Sequence, residues 1–486
     1  MSVSATRPDA IEPHVWRISS VVIIGSIMSI LDATIVNVAL HTLGRELHAG
    51  ISQIQWVVTG YTLALASVIP VAGWASRRFG AKRVYIVSLV LFTAGSAACG
   101  LAQSSTQLIV FRIIQGVGGG LIMPIGQLMM AQAAGPKRMG RVMSLVAIPA
   151  MLAPIFGPTL GGLIIEGASW RWIFEINVPI GIIAVIAAMR VLPRAERQQA
   201  ERLDLLGLAL MAGGLMLLTY GLAEIGTVHS FTAPRVLGPA LVGLAMIGGF
   251  VLHALRVPRP LLDLRLYRRA TFASASITMF CLGAALFGAM VLLPLYLQTV
   301  RHFSVVDTGL LTASQGVGMA IVMPISGRLA DRFGGGPIAL AGVLLTTIAS
   351  VPFALLSVHT PVAEIIAAMF VRGIGIGFAF LPAMTAAYAS LERSELSDAT
   401  PQMNILQRVG GSIGVAVLAV VLERSLVGAR TLEQAAAAFG TAFWWAVGLS
   451  AVAIIPSVIL LRAERAARAA HAEHPLEHAA LAEAPA

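Results

Sequence analysis

Apolar runs of about twenty residues recur along nearly the whole of this 486-residue chain, separated by short basic, glycine- or proline-bearing breaks. A helix needs roughly 20 such residues to cross the hydrocarbon core of a bilayer. Reading the runs and their breaks predicts about fourteen spans. Six precede the basic stretch Arg190–Arg202, two fall at about 205–224 and 236–255, and six follow the basic stretch Arg256–Arg269. Composition agrees, with 57% hydrophobic and 12% charged residues, against about 45–50% and about 25% in ordinary soluble domains. Soluble globular and disordered classes are excluded, and an all-α polytopic membrane protein is the expected fold class.

The net charge of +10 does not point to nucleic acid, because the basic residues form short clusters between apolar runs and not one solvated face. With the N-terminus placed in the cytoplasm and the helices alternating, the cytoplasmic connections and both tails hold 24 of the 33 Lys and Arg. The opposite side holds six, and Arg112, Arg372 and Arg408 remain inside helices. That bias is the positive-inside pattern; it favours an even number of spans with both termini in the cytoplasm. Cys99 and Cys281 lie inside apolar runs and read as small buried hydrophobes. No His, Cys or carboxylate cluster has zinc spacing, and no cleavable signal is evident. The glycine-rich pieces at 116–121 and 373–377 sit in apolar helices without a βαβ context, so they are not nucleotide sites. No phosphate-binding Gly-x-x-x-x-Gly-Lys-Ser/Thr stretch occurs, so neither ATP nor any other cofactor is expected.

Two stretches repeat. PVAGWASRRFG at 70–80 and PISGRLADRFG at 324–334 match in proline, first glycine, Arg-Phe-Gly and spacing, at an offset of 254. FRIIQGVGGG at 111–120 is echoed by FVRGIGIG at 370–377, each in the fourth helix of its half. Two parallel six-helix halves related by an axis along the membrane normal make a transporter plan. The expected division is a tail at 1–14, a six-helix bundle at 15–192, two inserted helices with basic linkers at 193–262, a second bundle at 263–462, and an Ala-rich tail at 463–486.

With these motifs the chain resembles the major facilitator superfamily, and within it the 14-span drug:proton antiporters of the EmrB/QacA type. The resemblance covers nearly the whole span region. It is carried by Asp32 in LDATIVNVAL (31–40), GWASRRFGAKR (73–83), Arg112 with Gln115-Gly116, GPTLGG (157–162), WRWIFEINVPIG (170–181) and QRVGGSIGVAV (407–417).

Asp32 is the one carboxylate placed well inside a span; Glu175 and Glu224 come nearest among the others. An ionised Asp at mid-helix costs about 2.5–3.5 kcal/mol on insertion scales, so it needs a partner or a cavity. Ser26 and Ser29 precede it at three-residue steps and give that side of the helix a polar stripe. Arg112 needs the same relief and is the candidate partner, either as half of a proton-switched pair or as a static helix lock. The resemblance associates Asp32 with proton coupling. Arg372 could play a matching role in the second half, but no intramembrane acid is there to receive it; Arg408, nearer the cytoplasmic end, is expected to snorkel. Gly157 and Gly161 form a small-xxx-small step, with Pro158 and Gly162 beside them; tight packing and the family's antiporter motif both fit. Gly73, Arg77, Arg78 and Gly80, with Gly327, Asp331 and Arg332 in the second copy, correspond to the superfamily's conformational latch. Arg77 stands where the latch usually has an acid, and topogenic charge alone is the competing reading. Asn37, Gln115, Phe280, Phe287, Tyr296 and Phe378 are the candidate cavity residues.

The expected function is not enzymatic. It is proton-coupled, alternating-access export of lipophilic or cationic drugs or related small molecules across a bacterial inner membrane. Partners are the substrate, protons and the lipid bilayer, with a periplasmic adaptor left open. Competing readings are an exporter of an endogenous metabolite or a proton symporter on the same fold, and an uncoupled channel or membrane sensor. With one embedded acid, a proton and a cationic substrate cannot both be held tightly. Divalent cations are therefore expected to be poorer substrates than monovalent or neutral compounds. Robust export of a divalent cation by an Asp32→Asn variant, followed by dye efflux, would contradict this.

Overall fold

The computed structural model describes residues 12–135, 138–193, 202–228 and 233–473, which form helices and their connections with no strand among the described residues. The first eleven residues, Lys137, Arg194, Arg197 and residues 474–486 lie outside the described residues, as do the side chains of 146–156, 158, 159 and 166. The side chain of Pro158 is therefore among those outside.

The first half comprises α1 (Pro13–Glu46), α2 (Ile51–Val68), α3 (Val71–Phe79), α4 (Ala81–Gly100), α5 (Ser105–Ala134), α6 (Met139–Gly167), α7 (Trp172–Glu175) and α8 (Asn177–Val191). The pair α9 (Leu205–Val228) and α10 (Pro234–Arg256) and a short 3-10 helix (Leu264–Arg268) follow. The second half comprises α11 (Ala270–Thr299), α12 (Val305–Phe333), α13 (Gly335–Ala354), α14 (Val362–Ala389), α15 (Leu396–Leu426), α16 (Leu432–Val452) and α17 (Ile454–Glu473). Among the described residues, twelve units are long and apolar enough to cross a membrane, or thirteen if α2 and α3 form one bent span. The fourteenth expected span falls on the 29-residue α6, part of whose side chains lie outside the described residues.

The two copies of the repeat fold alike with one difference. Pro70 lacks the N–H of a continuing helix, and the chain bends by 58° between α2 and α3 there. Pro324, the matching residue, lies inside the unbroken α12, where neighbouring helices can relieve the lost bond. Each copy ends in a glycine at positive φ, Gly80 at 86° and Gly334 at 98°, which turns the chain into α4 and α13.

Lipid is as apolar as leucine, so spanning helices pack through close backbone approach at small residues. That explains the glycine echo. A Cβ on Gly116 would meet the Tyr61 carbonyl, and one on Gly118 the Phe92 backbone nitrogen. In the second half the same clash would arise for Gly373 against the Gln315 carbonyl and Gly375 against Thr346. Gly157 and Gly161 likewise bring α6 onto α1, at Thr34 and Ile35, while Gly162 meets nothing within 4 Å. The α9/α10 pair touches both halves, because α9 packs on α2 and on α15. Of the apolar stretch of α10 only 17% is buried, with Leu241, Leu244, Leu252 and Leu255 turned outward.

The end of the molecule that carries the arginine-rich connections, here the basic face, is tied by polar contacts. Arg138 donates to Glu12 at 2.8 Å and holds its carboxyl below the usual range. Residues 463–473 continue α17. There Glu464 accepts from the Gly335 and Gly336 amides at 3.0 and 2.5 Å, closing the start of α13. Cys99 and Cys281 are buried and unpaired.

Backbone outside the ordinary L-residue regions costs about 1–3 kcal/mol at a non-glycine residue. Gly80→Ala is expected to lower stability by that amount, seen as a lower melting midpoint in detergent. An unchanged midpoint would mean that the turn after Phe79 is not constrained.

Candidate functional site

Halfway along α1, Asp32 is 0% exposed, and Arg112 on α5 is 1% exposed. Arg112 Nη1 donates to Asp32 Oδ2 at 2.6 Å and to Gln115 Oε1 at 2.8 Å, and its Nε donates to the Val57 carbonyl at 3.3 Å. Gln115, one turn further along α5, donates from Nε2 to Asp32 Oδ1 at 2.9 Å. Asn177, at the start of α8, donates from Nδ2 to the same oxygen at 3.0 Å and to Ser96 Oγ at 3.1 Å. The Tyr61 ring lies 4.0 Å from the guanidinium carbon of Arg112, in cation–π range. Both carboxylate oxygens are thus occupied and the pair is neutral overall, which is what the low-dielectric interior demands of buried charges.

Asn177 is a member of the site that the sequence does not single out. It stands inside the quoted WRWIFEINVPIG stretch, and an amide in the apolar part of a span was its available signal. Gln115 belongs to this cluster and not to a cavity wall.

Beside the cluster lies a cavity of about 510 Å³ between the halves, lined by α1, α2 and α5 on one side and α11 to α16 on the other. Ser29, Ile30, Ala33 and Thr34 of α1 form part of its wall, so Asp32 sits directly behind the lining. Asn37 and Phe287 line the cavity. Three expected residues do not. Tyr296 is fully buried and donates to the Ser357 carbonyl at 2.8 Å; Phe280 packs against a core cluster with Cys281 and Val343; Phe378 is half-buried on α14. A helix wheel gives spacing without the rotation of the helix, so these aromatic residues were indistinguishable by sequence.

Arg372 and Arg408 both line the cavity. Arg372 donates to Gln315 Oε1 at 2.7 Å, Ser350 Oγ at 3.1 Å and the Ala285 carbonyl at 3.1 Å. Arg408 is exposed within the cavity instead of reaching the basic face, which corrects the snorkelling expectation. Its position twelve residues into the 31-residue α15 leaves the helix end out of reach.

Two matched clasps join the halves at the basic face. On α3, Arg77 Nη1 donates to Asp398 Oδ1 at 2.7 Å and Ser397 Oγ at 2.9 Å, at the start of α15. On α12, Asp331 accepts from the Gly140 amide at 2.8 Å and from Arg141 Nε at 3.2 Å, at the start of α6. Glycines allow the approach in both: Gly73 faces the Ser397 carbonyl, and Gly327 faces the Gly140 carbonyl. The basic residue in the first copy is therefore met by an acid on the helix it grips, and the polarity of the clasp is inverted. Arg78 is exposed and Arg332 stacks over Phe333, its guanidinium carbon 5.1 Å from the ring centre. On the cavity wall, Asn404 Nδ2 donates across the halves to Gln127 Oε1 at 2.7 Å.

The model of the family described as Major Facilitator Superfamily matches residues 22–415. A multidrug resistance protein B homolog of Mycobacterium tuberculosis is 38% identical over 85% of this chain and 77% of its own. A multidrug export protein EmrB of Haemophilus influenzae is 30% identical over 81% of this chain and 78% of its own. The structure of a human organic anion transporter, MFSD10, superposes with a TM-score of 0.67 over 92% of this chain and all of that one, at 16% identity, a likeness of fold.

Removing one partner of a buried ion pair strands the other, at a cost of about 3–5 kcal/mol. Asp32→Asn and Arg112→Gln should each lower thermal stability in detergent, and the double variant should lose clearly less than the two single losses combined. Additive losses would mean that the two groups do not depend on one another.

Proposed function

The chain belongs to the major facilitator superfamily, a multi-pass membrane transporter with multidrug-efflux relatives, and we propose that it is a proton-coupled exporter of lipophilic small molecules working by alternating access. The observation that carries this reading is a carboxylate wholly withdrawn from water, one layer behind a cavity of about 510 Å³ that lies between two halves clasped at one face. The carboxyl group of Asp32 is the group of that cluster to which this reading assigns the coupled proton. When Asp32 takes a proton, Arg112 loses its counter-charge, and the bonds that Gln115 and Asn177 donate to the carboxyl lose their charge assistance. α1, α5 and α8 are thereby biased toward a second arrangement. α1 also forms cavity wall at Ser29–Thr34, so its movement is felt by a bound substrate. Release of the proton restores the network described above.

In this reading the basic face is cytoplasmic, both termini lie there, and the membrane is the bacterial inner membrane; the arginine bias supports that orientation. The clasps Arg77–Asp398 and Asp331–Gly140/Arg141 then hold the cytoplasmic side shut, and export requires them to open for substrate entry. The division at 15–192, 193–262 and 263–462 belongs to the same proposal, with the inserted pair as a brace between the halves. No ATP enters this cycle, and a periplasmic adaptor is not required by it.

Energetics set the scale. A charge crossing 100 mV is worth about 2.3 kcal/mol and a pH unit about 1.4. One proton entering per neutral molecule expelled therefore supports an accumulation of about 500-fold under those conditions.

Everted vesicles containing the protein test the reading. Adding a neutral lipophilic substrate should partly collapse a preformed proton gradient, and Asp32→Asn should abolish the collapse. Substrate flux that is unaffected by uncouplers would overturn it in favour of a channel.

A further inference from the structure

The charges on the cavity wall are of one sign. Among the described residues the lining holds Arg372 and Arg408 and no carboxylate. Asp32 does not offset them, because it lies behind the wall at 0% exposure and is bound to Arg112. Of the α6 side chains outside the described residues, those at 146–159 include no Asp or Glu, and the one acid, Glu166, belongs to the last turn of the helix.

Arg372 is the second-half counterpart of Arg112, in the fourth helix of its bundle, and the comparison is informative. Arg112 meets a carboxylate at 2.6 Å from the first helix of its half. Arg372 meets instead a backbone carbonyl from the first helix of its half, Ala285, with Gln315 and Ser350 as its other acceptors. All three are neutral. They use three of the five N–H donors of a guanidinium, at a side chain only 4% exposed. A cation buried this deeply is costly without a counter-ion. Arg408, on the facing helix α15, adds a second positive charge that stands open in the cavity. Around the two arginines the wall is apolar and aromatic, with Phe287, Phe353 and Phe443.

We infer that the cavity is built for an amphipathic organic anion, an aromatic or aliphatic body ending in a carboxylate or sulfonate. The acidic group reaches the free N–H donors of Arg372 and the guanidinium of Arg408, whose planar donor fork suits such groups. The apolar body lies against the phenylalanines. A lipophilic cation meets two like charges in a low-dielectric wall and is rejected by the same groups. This substrate class takes the place of the cationic one expected from sequence. It rests on the exporter reading for its consequence in transport: exchange of an entering proton for a leaving monoanion moves two charges in the favourable direction, so membrane potential drives it as well as the pH difference.

The test is equilibrium binding to the full chain in phosphatidylcholine nanodiscs, which offer no anionic lipid as a competitor. The probes are three of matched shape: 2-naphthoate, neutral 2-naphthamide and 2-naphthylmethylammonium. Naphthoate is expected to bind at least about tenfold more tightly than the ammonium, in line with the strength of charge-assisted hydrogen bonds. Arg408→Gln and Arg372→Gln should each cut the naphthoate-to-naphthamide ratio by about tenfold, and Arg408→Glu should invert the preference toward the ammonium. Arg408 stands in open cavity, so its variants keep the test intact if Arg372→Gln does not fold. Equal or tighter binding of the ammonium, a ratio unchanged in the Arg408 variants, or failure of naphthoate to bind overturns the inference. Because binding is read without a gradient, such a result counts against the anion site. Absence of gradient collapse in vesicles counts separately against proton coupling.

Discussion

A carboxylate at 0% exposure inside a spanning helix has to be matched by an opposite charge, and in this protein the match with Arg112 organises the first half. The pair needs α1 and α5 side by side at one height. Gln115 and Asn177 complete the shell, which ties α8 to the same point. Gly95 on α4 stands against the Gln115 backbone and Gly181 on α8 against Thr93 of α4, which seats α5 and α8 closely on α4 around the cluster. A membrane interior supplies no water to replace any of these contacts, so the cluster is held in register by every helix that touches it. Its position one layer behind the cavity wall makes local chemistry and cavity shape interdependent.

The two halves use one plan with different charges. In the first, an arginine on the fourth helix meets an acid on the first; in the second, the equivalent arginine meets neutral acceptors and faces the cavity. The clasps at the basic face show the same economy with inverted sign: arginine grips aspartate in one copy, and aspartate grips a helix start and an arginine in the other. Asp331 meets the amides of the first turn of α6, where the helix dipole favours negative charge. Arg77 could not do that at the start of α15, and Asp398 stands there to receive it.

Much of the fold was legible from residue order. Apolar runs, their breaks and the arginine distribution identify a polytopic bundle, and the repeated PxxG…RFG text identifies two parallel halves. The Asp32–Arg112 pairing was legible too, because two charges in apolar spans at similar depth have few other partners. Asn177 was not singled out, since one asparagine in an apolar run resembles many that simply bond within their own helix. Gln115 bonds to both members of the pair and does not line the cavity, and Tyr296, Phe280 and Phe378 turn away from the opening that Phe287 faces. Periodicity places residues on a common face but leaves that face's direction to the packing of neighbours.

The sequence by itself determined that the chain is all-helical and membrane-spanning, that its second half repeats its first, and that one acid and three arginines lie where lipid or protein must accommodate them. These follow from composition and order, because burying twenty apolar residues or one charge in hydrocarbon has a cost independent of detail. Only the tertiary structure decided which of those charges neutralise each other and which face the cavity. It also decided that Arg77 is answered by Asp398, more than three hundred residues away. The reason is physical: an ion pair depends on a few ångströms of separation and on helix rotation, and both arise from how distant helices pack.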